Sequence, residues 1–476
     1  MRTMKQHFIS MVSWLALSTC MAQAAVVTGK VADVNGTPVV GVVVTDGYQF
    51  TETDNQGIYR LDSDLEKSRF VYLSVPSTYE ITTTQGIPNQ FYQQLDKEKE
   101  VSEHHFTLTR RQQSADSFVY LAISDPQTIN EDQMKRFSKE TVPDLRETAE
   151  QAAGKPVYAM ALGDISWDRM DLFEAYKQAV SEVGIPMFSV IGNHDHDLRY
   201  PALSNQVERE ESYAEHIYEH HFGPYNYSFN VGKVHIVTLK DIDYYKEKKY
   251  DERFGKEQLE WLQKDLSYVK PGSLVFINVH APLFNTTDGG RGNADDADRL
   301  REIVAPYQVH IFAGHTHFYE NTPVAPNLYE HNIGAACGAW WAGHVNRCGA
   351  PNGYLVVEVN SDQVSWYYKA TGRDRDYQFR VYEPGTFLSQ SGYLVANVWD
   401  WDPSYQVTWS EDGTDKGVME QFQDEDQDFI TMKGKPAGYQ TRHLFRCNPS
   451  SDAKLIQVKV KNRFGKEFVQ EVRLDQ

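Results

Sequence analysis

Apolar and polar residues alternate one by one across residues 26–110, broken by turn-forming clusters at Asn35-Gly36, Asp46-Gly47 and Asn55-Gln56-Gly57. That period belongs to half-buried strands, and residues 39–45 and 58–61 fit two of them, so a small antiparallel sandwich is expected here. From Ser117 the pattern changes to short apolar runs separated by helix-length amphipathic stretches, as in an α/β unit. Residues 370–476 return to strand-like alternation at 393–398, 405–409 and 456–460, with turns at Asp400-Trp401-Asp402-Pro403 and Glu411-Asp412-Gly413. A second β-sandwich is expected there. The organisation read from pattern alone is three segments: 26–110, 117–368 and 370–476.

Chemistry gathers where the apolar runs of the middle segment stop. Residues 118–124 run into Asp125, 157–163 into Asp164 and 187–192 into Asn193. Residues 274–279 end at His280, and 309–314 at His315 with His317 two further on. Ligands of α/β folds collect outside the carboxyl ends of strands. One polar residue there is ordinary, but five runs ending in Asp, Asn or His point to a shared site. His315 and His317 are one residue apart, so on an extended segment both rings can face the same side. Gly314 leaves room for the backbone to approach a metal closely.

Asp125-Pro126-Gln127, Gly163-Asp164, Gly192-Asn193-His194-Asp195, His280 and Gly314-His315-Thr316-His317 together resemble the calcineurin-like metallophosphoesterase family over residues 117–368. The resemblance implies an α/β fold of four layers, two mixed sheets between helices, with a dinuclear metal centre at the strand ends. By position, one metal would take Asp125, Asp164, His317 and Gln127, and the other Asp164, Asn193, His280 and His315, with Asp164 bridging. Gln127 departs from the family pattern, where the first motif is commonly Asp-x-His. The implied cofactors are two divalent ions (Mn, Fe, Zn or Mg), able to clamp an in-line phosphoryl displacement and acidify a bridging water. The implied activity is hydrolysis of phosphate mono- or diesters. His194 is expected to hydrogen-bond the phosphoryl oxygen or protonate the leaving group, with Asp195 orienting its ring and raising its pKa. A binding protein on a phosphoesterase-like core is the alternative.

The flanking segments carry resemblances of their own. Gly29-Lys30-Val31, residues 36–44 and Thr53-Asp54-Asn55-Gln56-Gly57-Ile58-Tyr59 resemble the transthyretin-like or carboxypeptidase-regulatory sandwich, an accessory module in most settings. Residues 370–476 are similar to the C-terminal module of some bacterial phosphoesterases. Trp340-Trp341, in the Gly-rich stretch between Cys337 and Gly353, suits either an aromatic rim over the cleft or the core. Trp167, Asp168, His196 and Asp197 suit either the cleft lining or loop scaffolding. Arg291, in the Gly-rich run 288–293, could meet a phosphate. The acidic run 424–428 reads as a solvated loop.

Charge and leader narrow the setting. The net charge of −19 leaves no basic surface for a polyanion, so no nucleic-acid partner is expected. Phosphorylated small molecules, lipids or glycans are the expected substrates. Residues 1–24 read as a secretory signal, with Arg2 and Lys5, an apolar stretch and Ala22-Gln23-Ala24 as the cleavage pattern. The chain is expected to be exported as a soluble periplasmic or extracellular protein, in preference to lipid anchoring at Cys20, and no later segment is expected to cross a membrane. Export permits disulfides, and Cys337 with Cys348 is the expected pair, leaving Cys447 free.

Overall fold

The computed structural model describes residues 25–200, 213–246, 248–284 and 294–474. The expected export signal with Cys20, and the run 288–293 with Arg291, lie outside the described residues.

Two mixed sheets form the centre. The first has the order Met187–Ser189, Val157–Ala161, Ser117–Ile123, Gly353–Asn360, Gln363–Ala370, its first three strands parallel and its last two antiparallel. The second runs Tyr227–Val231, Val234–Thr238, Leu274–Asn278, Gln308–Ala313, Leu328–Asn332, Glu320–Ala325, with antiparallel strands at both edges. Alternation along Ser117–Ile123 shows how the layers form. Phe118, Tyr120 and Ala122 share a core with Phe276 and Phe312 of the second sheet, while Val119, Leu121 and Ile123 pack with Val142, Leu145, Phe173 and Tyr176 of the helices Val142–Glu150 and Phe173–Ser181. Leu259, Leu262, Leu300 and Val304, from helices Lys256–Leu266 and Ala294–Val304, pack with the second sheet. The result is helix, sheet, sheet, helix, as the family resemblance implied.

The N-terminal segment forms two four-stranded sheets. Its long strand Ala25–Asp33 is antiparallel to Ile58–Ser63 but parallel to Val101–Glu103 and Phe106–Leu108, so this sheet is mixed and not antiparallel. Alternation fixes which face a residue takes and is silent on strand direction. The expected strand over 39–45 is shorter, Val43–Thr45, because Gly41 turns the chain at φ 72°.

In the C-terminal segment two further four-stranded sheets close on Phe379, Leu394, Val398, Ile456, Val458 and Val460. The acidic run is not a solvated loop. Asp426 is fully buried, caps helix Gln427–Lys433 by accepting from the backbone N–H groups of Asp428 and Phe429, and also accepts from the Tyr382 hydroxyl and Asn397 amide at 2.8 Å each. Asp400 ties this segment to the second sheet, accepting from the Tyr319 hydroxyl at 2.6 Å and the Asn321 amide at 2.8 Å. Among the described residues no helix is long and apolar enough to cross a membrane.

Candidate metal centre

Strand ends bring the expected ligands to one buried point. Ligand atoms of Asp164, His280 and His315 all lie within 4.8 Å of one another. Asn193 Oδ1 is 3.0 Å from His280 Nε2, and Asp164 Oδ1 is 3.3 Å from the same nitrogen. On the other side of Asp164, His317 Nε2 lies 3.7 Å from Asp125 Oδ1. Asp125, Gln127, Asp164, His315 and His317 all hold positive φ, between 38° and 68°. Such backbone is costly for non-glycine residues and persists where the surroundings enforce it, commonly at functional sites. Here the bends let strand ends from two sheets aim their side chains at one another.

The donor set fits divalent cations on three counts. Asp125 Oδ1 is buried without a hydrogen-bond partner, although its Oδ2 accepts from Ser124 and from the His315 backbone. The backbone makes room: a Cβ on Gly163 would strike the His280 ring, one on Gly192 would strike Asp164, and one on Gly314 would strike Ser124 and Asp125. Each imidazole is also fixed from behind. His280 Nδ1 donates to the Leu162 carbonyl at 2.8 Å, His317 Nδ1 to the Gly338 carbonyl at 2.5 Å, and His315 Nε2 to Glu252 Oε1 at 3.1 Å. That is the outer anchoring metal-bound histidines use, and it leaves one nitrogen of each ring facing the site.

The field suits positive charge. Burial works against ionisation of Asp164, but His280 and His194 outweigh it and hold the carboxyl well below its usual range. Burial likewise opposes charge on His280, and Asp164 overrides it, raising the imidazole to about 10. His317 is pushed down by burial, which favours the neutral ring that coordination needs.

Gln127 lies beside the candidate ligands, with its amide nitrogen on Asp164. Its Nε2 donates to Asp164 Oδ2 at 2.8 Å, and its Oε1 lies 3.9 Å from the Cys337 thiol. The amide steadies the carboxylate expected to bridge.

His194 is half-buried beside the ligands, and its backbone N–H donates to Asp164 Oδ1 at 2.9 Å. Its orienting carboxylate is Asp168 and not Asp195. Asp168 Oδ1 is 2.9 Å from His194 Nδ1, and Asp168 Oδ2 meets Lys248 Nζ at 2.5 Å. Asp195 is fully buried and turned inward, accepting the backbone N–H groups of Gly192, Ile165 and Ser166 at 2.9–3.3 Å. The cause is local: Asn193–Asp195 is a 3-10 turn, so successive side chains diverge by about a third of a revolution. Burial opposes protonation of His194, but Asp164 and Asp168 prevail and raise its pKa. His196 and Asp197 are buried scaffolding, His196 donating to the Gly192 carbonyl and stacking on Tyr244.

Trp340 and Trp341 divide the two roles expected of them. Trp340 is partly exposed and stacks on His317 at 4.8 Å, while Trp341 is buried and donates its indole N–H to the Pro126 carbonyl at 2.9 Å. The expected Cys337–Cys348 bridge is not formed, and all three described cysteines are free and buried. The thiols face different ways, Cys337 towards His317 Nδ1 (3.6 Å) and Cys348 towards the Tyr319 backbone N–H (3.2 Å). Sequence reasoning missed Glu252 entirely, since it comes from the hairpin strand Lys249–Glu252, far from any motif.

The family model for calcineurin-like phosphoesterases matches residues 118–319, and the models for the N-terminal and C-terminal domains of such phosphoesterases match 25–111 and 330–468. A probable cyclic nucleotide phosphodiesterase of Synechococcus sp. is 25% identical over 165 residues, 34% of this chain, and the match spans 58% of that relative's length. Among solved structures, a dimetal phosphatase from Danio rerio is similar over 53% of this chain and 96% of its own, at 16% identity and a TM-score of 0.37. A purple acid phosphatase from yellow lupin (Lupinus luteus) is similar over 70% of this chain and 67% of its own, at 13% identity and a TM-score of 0.40.

Proposed function

We propose that this chain, a calcineurin-like phosphoesterase with the N- and C-terminal domains that accompany the family, is exported and hydrolyses phosphate mono- or diesters with two divalent cations. The observation that carries the reading is the gathering of buried Asp125, Asp164, Asn193, His280 and His317 with half-buried His315 at the strand ends, the outer nitrogen of each imidazole already anchored. Asp125, Asp164 and His317 would hold one cation, and Asp164, Asn193, His280 and His315 the other. When bound, such a pair supplies Lewis acidity and lowers the pKa of water for attack on phosphorus. Export rests on the sequence of residues 1–24, and the metals, among Mn, Fe, Zn and Mg, are open to assay.

The chain's own residues account for the rest of the chemistry. Asp125 and Asp164 contribute two negative charges, fewer than two divalent cations bring, so the loaded site draws an anionic ester in an otherwise acidic protein. His194 is the acid for the leaving group. Asp168 accepts a hydrogen bond from Nδ1–H, and Nε2 has no partner among the described residues, so that nitrogen is the one able to deliver a proton. Trp167, 5.0 Å from the His194 ring, shields one side of it from water. Gln127 keeps the Asp164 carboxylate in register through its 2.8 Å hydrogen bond.

The test is turnover of p-nitrophenyl phosphate and bis-p-nitrophenyl phosphate by the mature protein with manganese, against Asp164→Asn. Activity in the wild type that falls with metal content in the variant upholds the reading. An inert wild type at every metal tried, or full activity in the variant, removes it.

A further inference from the structure

The hairpin of strands Ile242–Lys246 and Lys249–Glu252 reaches both halves of the metal centre. Its base carries Glu252, which fixes His315. At its turn, Lys248 places Nζ 2.5 Å from Asp168 Oδ2, and the other oxygen of that carboxylate lies 2.9 Å from His194 Nδ1. Ammonium, carboxylate and imidazole are each in direct contact with the next.

An exposed lysine on a carboxylate ordinarily contributes little, and the Lys248 side chain is 57% exposed. The setting of this pair is different. Asp168 is only 11% exposed, and among the described residues its Oδ2 meets Lys248 alone. The lysine is also pinned from behind. Its backbone N–H donates at 3.0 Å to the hydroxyl of Tyr244, a fully buried ring stacked on His196 at 4.7 Å. The segment that carries His194 therefore holds the hairpin, and the hairpin in turn holds the partner of His194. Backbone ties the same parts together, the Asp168 N–H donating to the His194 carbonyl at 3.2 Å. Burial works against charge on Asp168, but His194 and Lys248 outweigh it and keep the carboxyl below its usual range.

We infer that Lys248 is a positioning residue for the acid His194. It occupies Oδ2, so Asp168 presents Oδ1 to Nδ1 and the ring is held with Nε2 free to serve the leaving group. Without Lys248 the carboxylate can turn Oδ2 to water and let the ring go. This rests on the phosphoesterase reading, and it gives the hairpin a second task beside the anchoring of His315.

Lys248→Met keeps the length of the side chain and removes its charge. With manganese, kcat for phenyl phosphate, which has a poor leaving group, should fall about tenfold at unchanged KM, and kcat for p-nitrophenyl phosphate less than about twofold. Lys248→Arg should restore most of the loss. Lys249→Met removes the same charge from the next position and should lose nothing, and Lys248→Met should add nothing to Asp168→Asn. Equal losses on both esters, a change in KM alone, an equal effect of Lys249→Met, or an additive loss overturns the inference. If the wild type turns over no ester, the phosphoesterase reading falls instead, and the contact is decided in the metal-free protein by nuclear magnetic resonance. The downfield Nδ1–H signal of His194, assigned by its absence from His194→Ala, should broaden by solvent exchange in Lys248→Met and stay sharp in Lys248→Arg. A signal equally sharp in Lys248→Met overturns the inference.

Discussion

Glu252 offers a sharp test of how the metal centre is built. It holds His315 through Nε2–H···Oε1 at 3.1 Å, so that Nδ1 faces His280 Nε2 at 3.1 Å, and its own side chain is only 8% exposed. A hydrogen bond to a charged group contributes about 1.5–3 kcal/mol, and each 1.4 kcal/mol is tenfold in an equilibrium constant. Glu252→Ala releases the ring and should weaken cation binding roughly 10- to 100-fold, the range seen for outer-shell partners of metal-bound histidine. Glu252→Gln keeps an acceptor but loses its charge, so about half that energy, a loss of roughly threefold to tenfold, is expected. Competition with a chelating dye during manganese or zinc titration reads the affinities directly, and thermal unfolding checks that the hairpin is intact. Saturating metal should return most of the turnover in both variants. Equal affinities in wild type, Gln and Ala would refute the claim that Glu252 positions His315.

Three further outcomes follow from named contacts. His194→Ala should keep near-normal metal content while lowering turnover about a hundredfold or more, less for esters with good leaving groups, and Asp168→Asn should reproduce part of that loss while conservative changes at Asp195 act on stability; metal lost together with activity in His194→Ala would make it a structural support. Gln127→His replaces an amide that donates to Asp164 with an imidazole able to coordinate, so it should tighten the cation on the Asp125 side in stepwise titration, and unchanged affinities would show that this position has no bearing on binding. His196 and His443 are buried with pKa values pushed down to about 3, and burial pushes His331 well below its usual value. Depressed histidines stabilise the fold above the unfolded value of about 6.5, and that stability is lost as pH falls towards the folded values, at roughly 1.4 kcal/mol per pH unit for each residue. Urea midpoints should therefore drop steeply below pH 6.5, and His443→Asn, which keeps a donor for Asn397, should flatten the fall; an unchanged pH slope would refute it.

The cluster at the strand ends was legible because residue type and place coincide: Asp125, Asp164, Asn193, His280 and His315 each end an apolar run, and a buried strand delivers the residue after it to the end of the sheet. What sequence could not carry is direction across short turns and contact across long distances. Asn193 and Asp195 are two apart, yet the 3-10 turn sends one to His280 and the other back onto backbone N–H groups. Asp195 adjoins His194 in sequence while Asp168 lies 26 residues earlier, and only the fold shows that the distant carboxylate is the one that reaches the ring. The cysteines fail as a pair for the same reason, since an eleven-residue spacing says nothing of where the thiols point. The acidic run 424–428 looked solvated because a helix cap is invisible to charge counting.

Strain at the site links these observations to stability. Five of the seven expected ligand residues hold φ near the left-handed region, which costs on the order of 1–3 kcal/mol at each non-glycine position. The fold enforces those bends with hydrogen bonds that cross between strand ends: Gln127 N–H to the Asp164 carbonyl, Gly314 N–H to the His280 carbonyl, and His315 N–H to Asp125 Oδ2, each at 2.8 Å. Those bonds are made within the protein itself, so the candidate ligands are pre-arranged and binding need not order them. Cations that bind only the folded chain then add stability by mass action, by about 2.7 kcal/mol at a hundredfold excess over Kd for each site. Gln127→Gly relieves one such bend but removes the brace on Asp164, so it should narrow the gain in melting temperature on adding metal. If the metal-dependent gain stayed the same, the bends would be a property of the loops alone and not part of how the site holds its ions.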